Sequence, residues 1–263
     1  MYRVFFNFQG NALFGVLAFL GTAAALLLAA GLLVLLLATG RRRLAGQVAL
    51  LAGVGVAVYA AALLLLSARS RPQVAERGEE KYFCEVDCHL AYSVTDVRRA
   101  KTLAAPGGAI AARGTYSLVT LQTRFDADTI SCRRGDMPLN PNPRRLAVVD
   151  AEGREFLPVG SSFGEDSVPL TRPLRPGESY TTRLVFDLPD GARDPRLLVT
   201  ERDFVTRFLI GHENSFLHAK TFFRLDPHST RTSALAVPIS PVAASRTLTT
   251  TRKLPLRVWS VAV

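Results

Sequence analysis

The 263 residues carry 32 Lys and Arg against 22 Asp and Glu, a net charge of +10 and a pI near 10.1. Such a total suggests a basic surface for nucleic acid, but the distribution excludes that reading. No acidic residue precedes Glu76, and six arginines (Arg3, Arg41, Arg42, Arg43, Arg69 and Arg71) fall in the first 75 residues, so the remaining 188 hold a basic surplus of only four.

In chain order, the first feature is thirty residues without a charge, Asn11 to Gly40, rich in Leu and Ala. A membrane-spanning helix needs about 20 apolar residues to cross a hydrocarbon core roughly 30 Å thick. A second uncharged run, Leu44 to Ser67, follows after the short turn Gly40-Arg41-Arg42-Arg43. Lipid supplies no hydrogen bonds to the backbone, so two helices of about residues 11–40 and 44–67 are expected, forming a hairpin over residues 1–67. The first run is too long for a signal peptide, and Ala38-Thr39-Gly40 followed by three arginines is a poor cleavage context. Small residues at Gly21, Ala25 and Ala29, and at Ala45, Ala49 and Gly53, offer rows for close helix approach. Alanine and glycine are equally common without that role. The three arginines of the turn favour its cytoplasmic placement, leaving both ends of the hairpin outside.

Residues 68–80, with Pro72 and the charges from Glu76 to Glu80, read as a linker. Beyond them Tyr82, Cys84, Val86, Cys88, Leu90, Tyr92 and Val94 alternate with mostly polar residues, the period of a half-buried strand. Further strands are expected at Tyr116–Phe125, Leu146–Val149, Ser179–Leu188, Leu197–Thr200 and Ala219–Leu225. Turn chemistry separates them at Pro106-Gly107-Gly108, Asp150–Gly153, Arg175–Glu178 and Pro189–Gly191. Only Glu201–Ile210 offers a helical turn or two. Short punctuated strands without long amphipathic helices argue for an antiparallel β-sandwich over residues 81–226. Residues 227–263 read as an irregular tail, with a possible last strand at 256–263.

Three segments carry a resemblance: Gly114-Thr115-Tyr116-Ser117-Leu118-Val119-Thr120-Leu121, Leu146–Phe156 with its Asp150-Ala151-Glu152-Gly153 turn, and Leu174–Glu178 followed by Leu184–Pro189. Together they resemble the bacterial extracytoplasmic immunoglobulin-like domains of unknown function found on lipoproteins and membrane-anchored proteins. The likeness runs from about Cys88 to Thr200. It implies an immunoglobulin-like β-sandwich outside the membrane, often with interaction roles, and carries over no catalytic residue.

The three cysteines, Cys84, Cys88 and Cys132, allow one disulfide and one thiol in an oxidising compartment. On one strand Cys84 and Cys88 would stand about 13 Å apart at ~3.3 Å per residue, too far to bond unless the chain turns between them. A hairpin around Pro106 would set Cys84 almost opposite Cys132, so Cys84–Cys132 is the expected disulfide and Cys88–Cys132 the alternative. Three buried thiols acting as small apolar residues is the bland reading.

Cys84, Cys88 and His89 also invite a copper or zinc reading. Two membrane helices before an outside β domain is similar to the layout of cytochrome c oxidase subunit II, whose copper site uses two cysteines four apart. The histidine that site needs four residues after the second cysteine is Tyr92 here. Gly160-Ser161-Ser162-Phe163-Gly164 matches a nucleophile-elbow pattern but has no strand–helix context. His212 and His218 are six apart, so they would not share a helix face as zinc-helix histidines do. Asp126 and Asp128 read as turn residues. The pairs around Arg98, Arg99, Lys101, Arg133, Arg134, Arg144 and Arg145 read as solvated loop charges.

The function expected from these features is a non-catalytic binding module held in the cell envelope, with the lipid bilayer and an envelope protein as partners, no nucleic acid and no cofactor. The alternative is a metal-binding redox or cofactor-assembly accessory using Cys84, Cys88 and His89. A hydrolase acting through Ser162 ranks third.

Overall fold

A computed structural model describes residues 3–8, 12–84, 89–105, 108–127, 135–161 and 167–225. The two apolar runs form helices α1 (Ala12–Ala38) and α2 (Arg42–Ala68), each 27 residues. At 1.5 Å per residue each is about 40 Å long, enough to span a membrane. Gly40, at φ 73°, makes the tight reversal between them. Thr22 and Thr39 donate their hydroxyls to the carbonyls of Ala18 and Leu35 four residues back, so neither hydroxyl is left unpaired on the apolar helices. The helices bury Leu36 on one side of the hairpin and Ala45 and Leu63 on the other. The small-residue rows expected at the helix contact are a poorer description, because Gly21 and Gly53 face open space.

The β strands fall into two mixed sheets. In the six-stranded sheet the order is β1 (Val4–Phe6), β3 (Glu80–Phe83), β4 (Leu90–Ala105), β5 (Gly108–Phe125), β9 (Ser179–Leu188) and β8 (Gly160–Ser161). In the five-stranded sheet it is β2 (Gln73–Ala75), β11 (Thr221–Arg224), β10 (Arg196–Glu201), β6 (Arg144–Val149) and β7 (Glu155–Phe156). One apolar cluster draws on both sheets, joining Phe83, Tyr92, Leu121, Phe125, Leu184 and Phe186 to Val148, Leu197, Val199 and Phe223. Strand β9 shows why: Tyr180, Thr182, Leu184, Phe186 and Leu188 occupy alternate positions and all are buried.

Several expectations need correction. The sheets are not purely antiparallel, since β1 runs parallel to β3 and β2 parallel to β11. The residues read as a linker contain β2, whose Ala75 is fully buried. The single strand expected from Tyr82 to Val94 is two strands, β3 and β4, lying antiparallel with Phe83 opposite Leu90. The reversal changes the phase: Lys81 and Phe83 face inward, whereas Tyr82 was expected to do so. Arg98, Arg99 and Lys101 sit on β4, and Arg144 and Arg145 on β6, where loops were expected.

The hairpin around residues 106–107 forms as expected, pairing Leu90 with Phe125 at its base and Ala105 with Gly108 at its tip. Register shifts between Val94 and Asp96 and between Ala100 and Thr102 bend it. The turns at Asp150–Gly153 and Arg175–Glu178 close with glycines at positive φ, Gly153 and Gly177. Within 201–210 the chain makes one 3₁₀ turn, Val205–Phe208.

The helical hairpin enters and leaves through opposite sheets, because β1 precedes α1 and β2 follows α2. Both joints are short and bonded. Phe8 bridges to His212, and the Ser70 hydroxyl accepts the Ala219 N–H at 2.6 Å. Strand directions then place the C-terminal ends of β3 and β10 and the N-terminal ends of β4 and β6 at the helix side of the core. The β4–β5 tip lies at the far side.

Candidate functional site

The helix side of the core holds a buried cluster of charged and polar groups. It starts with Lys81, which the β3 phase turns inward and seals completely from solvent. Its Nζ donates to the carbonyl of Val199 at 2.8 Å and that of Thr221 at 3.4 Å, and pairs with Glu213 Oε2 at 2.8 Å. A lysine of one sheet thus satisfies acceptors from two strands of the other. Burial holds its pKa below the usual lysine value, while the Glu213 charge works in the opposite direction.

Arg144 and Glu201 are register partners on β6 and β10, and the arginine side chain is fully buried. Arg144 Nη1 lies 3.1 Å from Glu201 Oε1, its Nε donates toward the Tyr92 hydroxyl at 3.4 Å, and its guanidinium stacks 4.3 Å from the Phe83 ring centre. The second Glu201 oxygen lies 3.2 Å from His212 Nε2. His212 Nδ1 accepts the backbone N–H of Asn214 at 2.9 Å, which leaves the ring proton on Nε2, facing Glu201. Burial would raise the Glu201 pKa, but the hydrogen bond from His212, with the charge and hydrogen bond of Arg144, outweighs it and holds the carboxyl below its ordinary value.

Asn7 ties this cluster to the chain entering α1. Fully buried, it donates through Nδ2 to Glu201 Oε1 at 3.1 Å and accepts through Oδ1 the N–H of Cys84 at 3.0 Å. Its backbone carbonyl accepts the N–H of Glu213 at 2.8 Å. Most of these groups are paired with one another, while Glu213 Oε1 is buried without a hydrogen-bond partner among the described residues. Such a set fixes a packing arrangement, since breaking one partner strands the other in low dielectric.

Two open cavities flank the cluster. One, of about 570 Å³, lies between α1 and the β10–β11 connection, with Phe8, Val16, Val205 and Leu209 on its apolar side and Arg202, Asp203 and His212 on its polar side. The other, a groove of about 610 Å³, runs over the outer face of the five-stranded sheet past Arg145, Glu155, Thr200, Arg202, Arg207 and Lys220. Burial lowers the Lys220 pKa, with Glu213 acting against the shift.

The residues singled out in the sequence are scattered. Cys84 follows β3 at the helix side and is not a free thiol. Cys88 and Cys132 lie outside the described residues, and so does the expected Cys84–Cys132 pairing. The register argument for it lapses, because Cys84 is not on the strand that pairs with β5.

His89 Nδ1 lies 3.5 Å from Asp126 Oδ2, and Asp126 also pairs with Arg124. Asp128, Arg133 and Arg134 are outside the described residues. Among the described residues no group of three or more His, Cys, Asp or Glu converges as a metal site. Ser162 also lies outside them, while Gly160 and Ser161 form β8. His212 and His218 are both buried, on the turns leading into β11. Burial lowers the His218 pKa, and its Nδ1 lies 2.7 Å from the Ala219 carbonyl.

Sequence reasoning missed Asn7, Lys81, Arg144, Glu201 and Glu213. A correct strand phase would have found Lys81, as a charge at an inward position beside Phe83. Nothing local marks Asn7.

Neither a protein-family model nor a curated protein sequence matches the chain. Among solved structures, the yjhA protein from Bacillus subtilis aligns over 57% of this chain and 98% of its own length, at 15% identity and a TM-score of 0.36.

Proposed function

We propose that the chain is a membrane-anchored, extracytoplasmic binding module without catalytic activity. Its two sheets form an immunoglobulin-like β-sandwich held against the outer surface of the bilayer, and its partner is another protein of the cell envelope. The observation that carries this reading is the groove over β6 and β10. Charges inside the core are matched to one another and closed off, whereas Arg145, paired with Glu155, borders an open surface together with Arg202 and Lys220. Glu155 and Asp203 border it too, so the surface suits a partner of mixed charge rather than a polyanion.

Two further features support the placement. The Arg41–Arg43 turn favours a cytoplasmic loop and an outside domain. An oxidising compartment also suits the expected Cys84–Cys132 disulfide, or its alternative Cys88–Cys132.

Site-specific photocrosslinking in native membranes tests the binding role. A photoreactive residue replacing Glu155 in the groove should give a discrete protein adduct that the same residue at Ile110, on the distant hairpin, does not give. Equal labelling from both sites, or none from Glu155, would remove the proposal. Stoichiometric copper or zinc in the purified chain, lost in Cys88→Ser, would favour the metal accessory instead.

A further inference from the structure

The connection between β10 and β11, residues 202–220, packs against the helices and not only against the sheets. Ile210 lies so close to α1 that a Cβ at Gly15 would collide with its carbonyl oxygen. Tyr59 of α2 donates its hydroxyl to the Phe208 carbonyl at 2.6 Å. That bond and the Gly15 contact together bracket the level of the connection along the helices. From Leu44, just after the arginine turn, to Tyr59 is about 23 Å along the helix at 1.5 Å per residue. This is less than the roughly 30 Å of a hydrocarbon core, whereas Gly15, against Ile210, stands about 35 Å along α1 from Ala38, so the connection straddles the outer boundary of the core.

At that level the connection turns apolar side chains outward. Phe204 is 60% exposed, Phe216 43% and Leu217 74%. Phe204, Phe208 and Phe216 form a continuous aromatic row with edge contacts of 5.3 and 5.7 Å between ring centres. Leu217 sits at φ 63°, a conformation a branched apolar side chain rarely adopts. Arg207 lies with its guanidinium 5.4 Å from the Phe204 ring centre, an amphipathic neighbour suited to phosphate headgroups.

We propose that residues 204–217 form a second membrane contact, an aromatic loop inserted into the outer leaflet beside the helices. The occupant of this apolar face is lipid, because the face is continuous with helices of membrane-spanning length and bonded to them at the outer boundary of the core. Aromatic side chains favour this boundary, with an apolar ring on one side and water on the other. The inference rests on the membrane reading of α1 and α2, and it assigns Arg207 and Phe216, at one end of the groove over β6 and β10, to lipid. With the loop inserted, the β domain is held at three points and cannot swing on its anchor.

Tryptophan quenching by brominated lipid tests it. The chain's one tryptophan, Trp259, is replaced by phenylalanine. Single reporters are then placed at Phe216→Trp, Phe204→Trp, Leu51→Trp in α2 and Ile110→Trp at the distant hairpin. The full chain is reconstituted into phosphatidylcholine–phosphatidylglycerol vesicles with bromines either near the glycerol end of the acyl chain, for the loop reporters, or near its methyl end, for Leu51→Trp. Phe216→Trp and Phe204→Trp should be quenched at least twofold with blue-shifted emission, and Ile110→Trp should not respond. Quenching of Leu51→Trp without either loop reporter would overturn the loop proposal alone. If Leu51→Trp is not quenched, the membrane reading and the loop proposal fall together.

Discussion

Lys81 Nζ stands 2.8 Å from Glu213 Oε2 with both side chains sealed from water, joining a strand of one sheet to the connection that follows β10 in the other. Lys81→Met should therefore destabilise the chain by about 3–5 kcal/mol, because it strands a carboxylate in low dielectric. The double variant Lys81→Met/Glu213→Leu should recover much of that loss, since burying apolar groups removes both desolvation costs. Denaturant unfolding of the full chain in detergent measures both. Equal stability of the single and double variants would count against the pairing.

Acid should weaken the fold through Glu80. Arg124 Nε and Nη2 donate to its two oxygens at 2.6 and 2.7 Å, and that hydrogen bond holds the Glu80 pKa below its ordinary value of 4.5 despite partial burial. A carboxylate with a depressed folded pKa contributes stability that is fully present above 4.5 and is lost as pH falls through the folded value. Glu80→Gln should cost about 1 kcal/mol at neutral pH, as charge-assisted bonds at partly exposed sites do. It should also flatten the decline of stability below that pH. Thermal melts from pH 7 to pH 3 compare the slopes.

Gly114 is a packing requirement of the long hairpin. A Cβ there would meet the Leu188 carbonyl and come within 2.7 Å of Pro189 Cα, both backbone and unable to yield. Gly114→Ala should lose about 2–3 kcal/mol, whereas Gly191→Ala, with open space around it, should change stability by less than about 1 kcal/mol. Circular dichroism melts separate the two.

The seat of the β10–β11 connection on α1 makes a parallel contrast. Gly15→Val should force Ile210 away and cost about 1–3 kcal/mol, while Gly21→Val, in open space, should be near neutral. If the two melt alike, the helix contact contributes nothing.

The strands that the sequence displayed are those whose own residues alternate. Ser179–Leu188 and Leu146–Val149 carry their inward face in their composition, and glycine-bearing turns bound them. The strands it hid, β1 and β2, are three residues each and pair in parallel with partners far along the chain, Val4 with Glu80 and Gln73 with Thr221. No local pattern specifies such a partner. Between Tyr82 and Val94 the alternation ran through a reversal that the sequence did not mark, so the phase was right for Leu90, Tyr92 and Val94 and wrong for Tyr82. That one-residue error hid Lys81. Arg144 was hidden differently, since an Arg-Arg pair after Pro143 looks like loop until Glu201 and Phe83 are brought beside it.

The proposed binding role and the loop insertion both require the β domain to stand outside the cytoplasm, on the far side of two membrane helices from the arginine turn. Alkaline phosphatase, which is active only when exported, and green fluorescent protein, which fluoresces when folded in the cytoplasm, can each be fused after Val263 of the full chain. High phosphatase activity with a dark fluorescent fusion is the predicted result. An inactive phosphatase with a bright fluorescent fusion would contradict it.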